Sequence, residues 1–142
     1  MKNAVLVAIA ALAFAACKKD EPKQFSHLLV NGASFSSNKV TKSETKGGAS
    51  SLVEEDNLFR LSFATPSLPG NAVYLLKNPS PYPEHAFLTI QYQHNVYRVT
   101  RDSVWLDFNF INGKRQYVLA PTWFESVTSE DSVLVEGVFN EP

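Results

Sequence analysis

Alternation of apolar and polar side chains in residues 103–111 constrains the fold more than any other feature of the chain. The side chains at one set of alternate positions are all apolar: Val104, Leu106, Phe108 and Phe110. The intervening positions carry Trp105, Asp107 and Asn109. A period of two places alternate side chains on opposite faces of a β-strand. We therefore predict a strand over residues 103–111, with the even-numbered side chains in the core.

Two Asn-Gly pairs predict tight turns next to strands. Asn31-Gly32 and Asn112-Gly113 each tolerate the positive φ angles that a two-residue hairpin turn requires. They predict hairpins that join residues 25–30 to 33–35 and residues 103–111 to 114–120. Further strands are predicted at residues 58–65, 72–76, 86–93, 96–100 and 132–139. Residues 36–51 are predicted to be a long flexible loop, and residues 121–131 a second loop.

These segments predict a single all-β domain over residues 25–142 with eight or nine short strands, and no segment has a helical period. Such stripes are buried in sandwiches and in barrels. We predict an antiparallel β-sandwich, because the long loops at residues 36–51 and 77–85 suit crossovers between two sheets. A β-barrel is the alternative.

Composition and spacing argue against several classes of function. The net charge is −1 and no basic patch stands out, so we expect no nucleic-acid partner. His27, His85 and His94 are not spaced as metal ligands, and the acidic run at residues 54–56 lacks the pattern of a calcium loop. The chain has no Gly-x-Ser-x-Gly segment and no carboxylate pair that can be named. We expect no metal, no cofactor and no catalytic residue.

The first residues have the pattern of an export signal. Lys2 is followed by 13 consecutive apolar residues, Ala4 to Ala16. This run is too short to span a bilayer, which takes about 20 residues, but it fits the apolar region of a signal peptide. Cys17, the only cysteine in the chain, follows directly. An unpaired thiol would be unusual in an exported protein.

The segment Phe14-Ala15-Ala16-Cys17 resembles the lipobox of bacterial lipoproteins, although that family usually has Leu where this chain has Phe14. The resemblance implies cleavage after residue 16 and a lipid on the sulfur of Cys17. Residues 1–16 are then a signal peptide, and residues 17–24 a lipidated tether. Stable attachment takes at least two acyl chains.

The residues after Cys17 resemble the export signal of Bacteroidota surface lipoproteins, in which a lysine precedes acidic residues. Here these are Lys19, Asp20 and Glu21. The resemblance implies a lipid-anchored protein in the outer membrane, displayed on the cell surface. Retention on the periplasmic leaflet is the alternative.

Both ends of the domain also resemble a loose group of small Bacteroidota lipoproteins, through residues 30–35 (VNGASF) and 137–142 (GVFNEP). These motifs cover about a tenth of the chain and carry no activity that transfers to it.

Aromatic residues give the one hint of a ligand. Trp105 lies beside Asp107 and Asn109, and a flat indole flanked by hydrogen-bonding groups suits a sugar ring. The aromatic residues that would extend this platform are Tyr82, Tyr97, Trp123 and Phe124. The opposing interpretation is that both indoles are buried, as most tryptophans are.

Three functions remain open. The first is a non-catalytic, lipid-anchored domain that binds a glycan or a partner envelope protein. The second is a purely structural envelope lipoprotein, and the third is a hydrolase with an unrecognised site.

Overall fold

The computed structural model describes residues 24–70, 72–77, 81–101 and 103–142, and within these ranges it contains eleven strands and no helix. The strands are β1 (Ser26–Val30), β2 (Ala33–Ser37), β3 (Val40–Glu44), β4 (Ser50–Glu54), β5 (Phe59–Phe63), β6 (Tyr74–Leu76), β7 (His85–Tyr92), β8 (Asn95–Arg98), β9 (Trp105–Ile111), β10 (Lys114–Ser126) and β11 (Ser132–Asn140). The predicted all-β class is confirmed.

All strands belong to one sheet, in the order β2-β1-β11-β10-β9-β6-β7-β5-β4-β3. Strand β8 pairs with both β7 and β10, so that β10, β9, β6, β7 and β8 form a closed five-strand ring. The pairing thus follows the barrel alternative, with β11-β1-β2 and β5-β4-β3 as extensions of the ring. All neighbours are antiparallel except β6 and β7, which are parallel.

A bulge in β10 accompanies its pairing with two different strands, β9 and β8, along one edge, while β11 pairs with the other edge. The pairing of β10 with β11 shifts register between Leu119 and Thr122. The residues before the shift pair with β9, and Glu125 and Ser126 pair with β8. A bulge bends a strand and accommodates a residue such as Pro121, which has no amide hydrogen to donate. The predicted loop over residues 121–131 is therefore wrong for residues 121–126, which continue the strand.

The predicted flexible loop over residues 36–51 is also wrong for most of its length, and only residues 38–39 and 45–49 lie outside strands. The end of β2, all of β3 and the start of β4 occupy the rest, and β4 lies between β3 and β5. Four of the five residues of β4 are buried, including Glu54. The Glu54 carboxylate accepts hydrogen bonds from the Ser37 hydroxyl (2.8 Å) and the Asp56 amide (2.8 Å). The polar composition of this segment suggested a solvent-exposed loop. Its polar side chains can nevertheless be buried in strands, because they are hydrogen-bonded there.

The two Asn-Gly turns are confirmed. Asn31 and Gly32 have φ values of 49° and 78°, and Asn112 and Gly113 have 52° and 77°. The first turn joins β1 to β2, and the second joins β9 to β10.

The core fills the space enclosed by the sheet. Its largest fully buried side chains include Phe59, Phe63, Tyr97, Leu106, Tyr117, Phe124 and Phe139. Of the predicted core stripe in β9, Leu106 is buried and Phe108 is half-buried. Phe110 is 63% exposed, which contradicts its predicted place in the core. Strand β9 runs beyond the apolar layer that covers its first half.

Candidate functional site

Trp105, Asp107 and Asn109 lie on the face of β9 that points away from the core. Leu106, between the first two, is fully buried, which fixes the direction of its neighbours. All three are exposed, and Trp105 retains 52% of its accessible surface. Same-face residues of a strand are about 7 Å apart. The indole, the carboxylate and the amide therefore form a row on what we call the outer face.

The strands beside β9 add apolar side chains around Trp105 and Asp107. Leu75 of β6 pairs with Trp105, and Val118 of β10 pairs with Asp107. An open cleft of about 450 Å³ lies here, lined by Ala72, Val73, Asp107, Phe108, Asn109 and Val118. Asp107 is the one ionisable group among these lining residues. Among the described residues, no second carboxylate or histidine, which hydrolytic chemistry at Asp107 would require, lines the cleft.

Side-chain amides continue the row from Asn109 across three strands. The Asn109 side-chain nitrogen donates to Gln116 Oε1 (3.4 Å), and Gln116 Nε2 donates to Asn140 Oδ1 (2.9 Å). Asn140 in turn donates to the carbonyl oxygen of Phe25 (2.6 Å). Because the far end of this ladder is held by a buried side chain, Asn109 and Gln116 present ordered amides at the outer face.

Gln116 was not among the predicted site residues. The signal for it was present in the sequence, since a two-residue turn at Asn112-Gly113 places equally distant residues opposite each other, here Asn109 and Gln116.

Trp123 is also exposed (48%), but it belongs to the part of β10 beyond the bulge. It pairs with Leu134 of β11 and does not line the cleft beside Asp107. Within the described part of the chain, the aromatic ring contacts do not include either indole. Trp105 and Trp123 therefore do not form a stacked pair.

The predicted extension of the aromatic platform is wrong for Tyr97 and Phe124. Both are fully buried, and the Tyr97 hydroxyl donates to Asp131 (2.8 Å). Tyr82 is exposed and packs edge-on against His85, with ring centroids 5.4 Å apart. Alternation within β10 explains why Phe124 is buried. Trp123 and Phe124 are neighbours on one strand, so their side chains point to opposite faces.

A shallow apolar groove lies next to the cleft and shares Val118 with it. The groove has a volume of about 370 Å³ and is lined by parts of β1, β10 and β11, including Leu29, Pro121 and Val138. Its polar side chains are those of His27, Ser34 and Glu136. The outer face is thus polar at Asn109 and Gln116, and more apolar toward β1.

An ionic cluster around the buried carboxylate of Glu141 joins β3, β10 and the residue after β11. Glu141 accepts hydrogen bonds from Lys42 Nζ (2.9 Å), from an Arg115 guanidinium nitrogen (3.1 Å) and from the Arg115 amide (3.1 Å). Burial acts to raise the pKa of Glu141, but the Arg115 amide and the two cations together hold that pKa below its usual range. Because its carboxylate oxygens accept these hydrogen bonds, Glu141 connects β3 to β10.

The described residues contain no group of three or more His, Cys, Asp or Glu side chains that could hold a metal ion. Within the same residues, no helix has the length and apolar character needed to cross a membrane. Cys17, Lys19, Asp20 and Glu21 lie outside the described residues, as do the predicted signal peptide and nearly all of the predicted tether.

Comparison of the chain with protein families, with curated proteins and with solved structures finds no match.

Proposed function

We propose that this chain is a lipid-anchored envelope protein whose β domain binds a glycan, without catalysis, at the row formed by Trp105, Asp107 and Asn109. The observation that carries the proposal is the half-exposed indole of Trp105 in the same row as a carboxylate and an ordered amide. Burial of that indole would have removed the basis for a sugar platform.

The chemistry of the row suits a pyranose ring. The apolar face of such a ring packs on a flat aromatic surface, and an indole offers the largest one. A carboxylate accepts hydrogen bonds from ring hydroxyls, whereas an amide both donates and accepts. Asp107 is exposed, so its carboxylate oxygens are accessible to a ligand.

The test is a glycan array probed with the detergent-solubilised, full-length mature protein and its Trp105→Ala variant. We expect a defined set of glycans to bind the parent protein, with at least a tenfold loss of affinity in the variant. Phe110→Ala is the matched control, because Phe110 is an exposed aromatic residue of the same strand that lies outside the row containing Asp107. Equal binding by the parent and Trp105→Ala would refute the site.

A partner envelope protein is the second candidate ligand, and the apolar groove beside Val118 favours it. Protein interfaces have an apolar centre with a polar rim, and the groove offers both in Leu29, Val138 and Glu136. A photoreactive side chain at position 138 should crosslink to one protein in intact cells if this candidate is right. The same group at Glu55, an exposed position distant from the groove lining, is the control.

The anchor is proposed from the residues around Cys17, with Lys19, Asp20 and Glu21 directing the protein to the cell surface. Mass spectrometry of the mature N-terminus should show acylated Cys17, and Cys17→Ser should release the protein from membranes. Protease treatment of intact cells should then degrade the protein if it is on the surface and spare it if it remains on the periplasmic leaflet.

A further inference from the structure

Three large apolar side chains are exposed at one end of the domain, where the β9–β10 hairpin turns. Phe110 is 63% exposed, Ile111 is 40% exposed and Phe25, just before β1, is 49% exposed. We call these three residues the apolar tip. Single exposed apolar residues are common on the surfaces of soluble proteins. Several such residues at one end of a domain indicate a binding site for a protein, a ligand or a membrane.

The chain enters the domain at this same end. The side-chain nitrogen of Gln24 donates a hydrogen bond to the carbonyl oxygen of Ile111 (3.1 Å), across 87 positions of sequence. The backbone of Phe25 is fixed in turn by Asn140, whose side chain donates to its carbonyl oxygen. Residues 24 and 25 are therefore attached beside the hairpin turn, and the preceding residues depart from there.

The distance from the apolar tip to Cys17 is limited by chain length. Seven peptide units separate Cys17 from Gln24. A fully extended chain spans at most about 3.6 Å per residue, so the sulfur lies within about 25 Å of the tip along the chain. A lipid on Cys17 would hold this end of the domain next to the bilayer.

We propose that the apolar tip, consisting of Phe25, Phe110 and Ile111, inserts into the surface of the membrane to which the chain is anchored. This inference rests on the proposed lipidation of Cys17. Interfacial insertion typically buries apolar side chains about 5–10 Å into the boundary between head groups and acyl chains. The anchor supplies the high local concentration that a contact of three side chains needs, since tethering makes the second contact intramolecular.

The charges near the tip are compatible with a lipid surface. Lys114 and Arg115 follow the turn directly and both are cationic, although the charge of Arg115 is offset by its ion pair with Glu141. Glu141, the carboxylate bound to Arg115, is buried and ion-paired rather than presented to solvent. The neighbouring positions on the outer face, Asn109 and Gln116, are neutral amides. Cations beside apolar side chains favour the negatively charged surface of a bilayer.

The experiment places a single indole at the tip of the full-length lipidated protein. The variant combines Phe110→Trp with Trp105→Phe and Trp123→Phe, and is reconstituted in phosphatidylethanolamine–phosphatidylglycerol vesicles. Lipids brominated near the head-group end of the acyl chain should quench its fluorescence strongly, and lipids brominated near the methyl end weakly. The control is Trp105→Phe alone, which retains Trp123 and should not be quenched. Ile111→Trp in the same background replaces the first variant if that one does not fold.

The outcomes separate this inference from the lipid anchor. Flotation of the protein with vesicles, together with acylated Cys17 by mass spectrometry, supports the anchor by itself. Flotation without quenching at position 110 or 111 would overturn the tip contact and leave the anchor intact. Failure to float would overturn both. Crosslinks between tips of two copies, with no quenching, would assign the tip to a second copy of the chain and also overturn the proposal.

Discussion

The two ends of strand β9 expose aromatic side chains in different settings. At one end, Trp105 is exposed while its neighbour Leu106 is fully buried, so the strand is fixed from beneath by apolar packing. At the other end, Phe110 and Ile111 are both exposed, so neither face of the strand is covered there. The end near the turn is connected through Arg115, the partner of Phe110, to the ionic cluster around Glu141.

The two ends of β9 therefore suit different functions, ligand binding at Trp105 and membrane contact at Phe110 and Ile111. Six residue steps separate Trp105 from Ile111, which corresponds to about 20 Å in an extended strand. If the apolar tip lies in the membrane surface, Trp105 is at the end of the row farther from the bilayer, and Asn109, next to Phe110, is at the nearer end. A glycan stacked on Trp105 would then meet the domain at a distance from the bilayer.

The largest effect should come from removing the packing under β9. We expect Leu106→Ala to lower the free energy of unfolding by about 2–5 kcal/mol, because it leaves a cavity in a closed core. Phe110→Ala, on the same face of the same strand, should change the free energy of unfolding by less than about 0.5 kcal/mol. Urea denaturation of both variants checks the contrast, and comparable losses would show that the two ends are packed alike.

Glu141→Gln should weaken the end of β9 near the turn. We expect a loss of about 1–3 kcal/mol at neutral pH, since a buried carboxylate that accepts several charged hydrogen bonds is replaced by an amide. The pKa of Glu141 is lowered by folding, so its contribution is present above the unfolded pKa of about 4.3 and is lost as the pH falls through the folded value.

The pH dependence gives the decisive readout for Glu141. The parent protein should lose stability as the pH falls below about 4, whereas Glu141→Gln should show a smaller slope over that range. Asp107→Asn, at an exposed position, is the control and should leave the slope unchanged. Identical slopes in the parent and Glu141→Gln would contradict this role.

The smallest effect concerns the polar part of the outer face. We expect Asn109→Ala to reduce glycan affinity several-fold, by about 0.5–1.5 kcal/mol, through loss of one hydrogen-bonding side chain. Its melting temperature should stay close to that of the parent, because Asn109 is exposed. Calorimetric titration with a glycan selected on the array measures the affinity, and thermal denaturation measures the melting temperature. Unchanged affinity would restrict the site to Trp105 and Asp107.

Local patterns predicted the elements whose partners are adjacent in sequence. The Asn-Gly turns, the strands on either side of them and the direction of Leu106 followed from period and turn chemistry. The outward direction of Trp105, Asp107 and Asn109 followed in the same way. Alternation reports which side of a strand a residue occupies, but not whether another layer covers that side. That is why the pattern placed Phe110 in the core and the structure leaves it exposed.

Elements that depend on distant partners were missed. The polar strand β3 and the serine-rich strand β4 pair with each other and, through β5, with the ring, and their buried polar groups are satisfied by residues elsewhere. The second half of β10 was predicted to belong to a loop that begins at Pro121. Only the bulge, formed against β11, accommodates that proline.

The sequence by itself determined an all-β domain, its principal hairpins and the faces of β9, because these depend on alternation and on turn residues that act locally. The tertiary structure decided that the sheet closes into a ring, that Glu141 is buried between two cations, and that Gln24 lies beside the turn carrying Phe110 and Ile111. Those outcomes depend on contacts between residues far apart in the chain, and such contacts have no periodic signature in sequence.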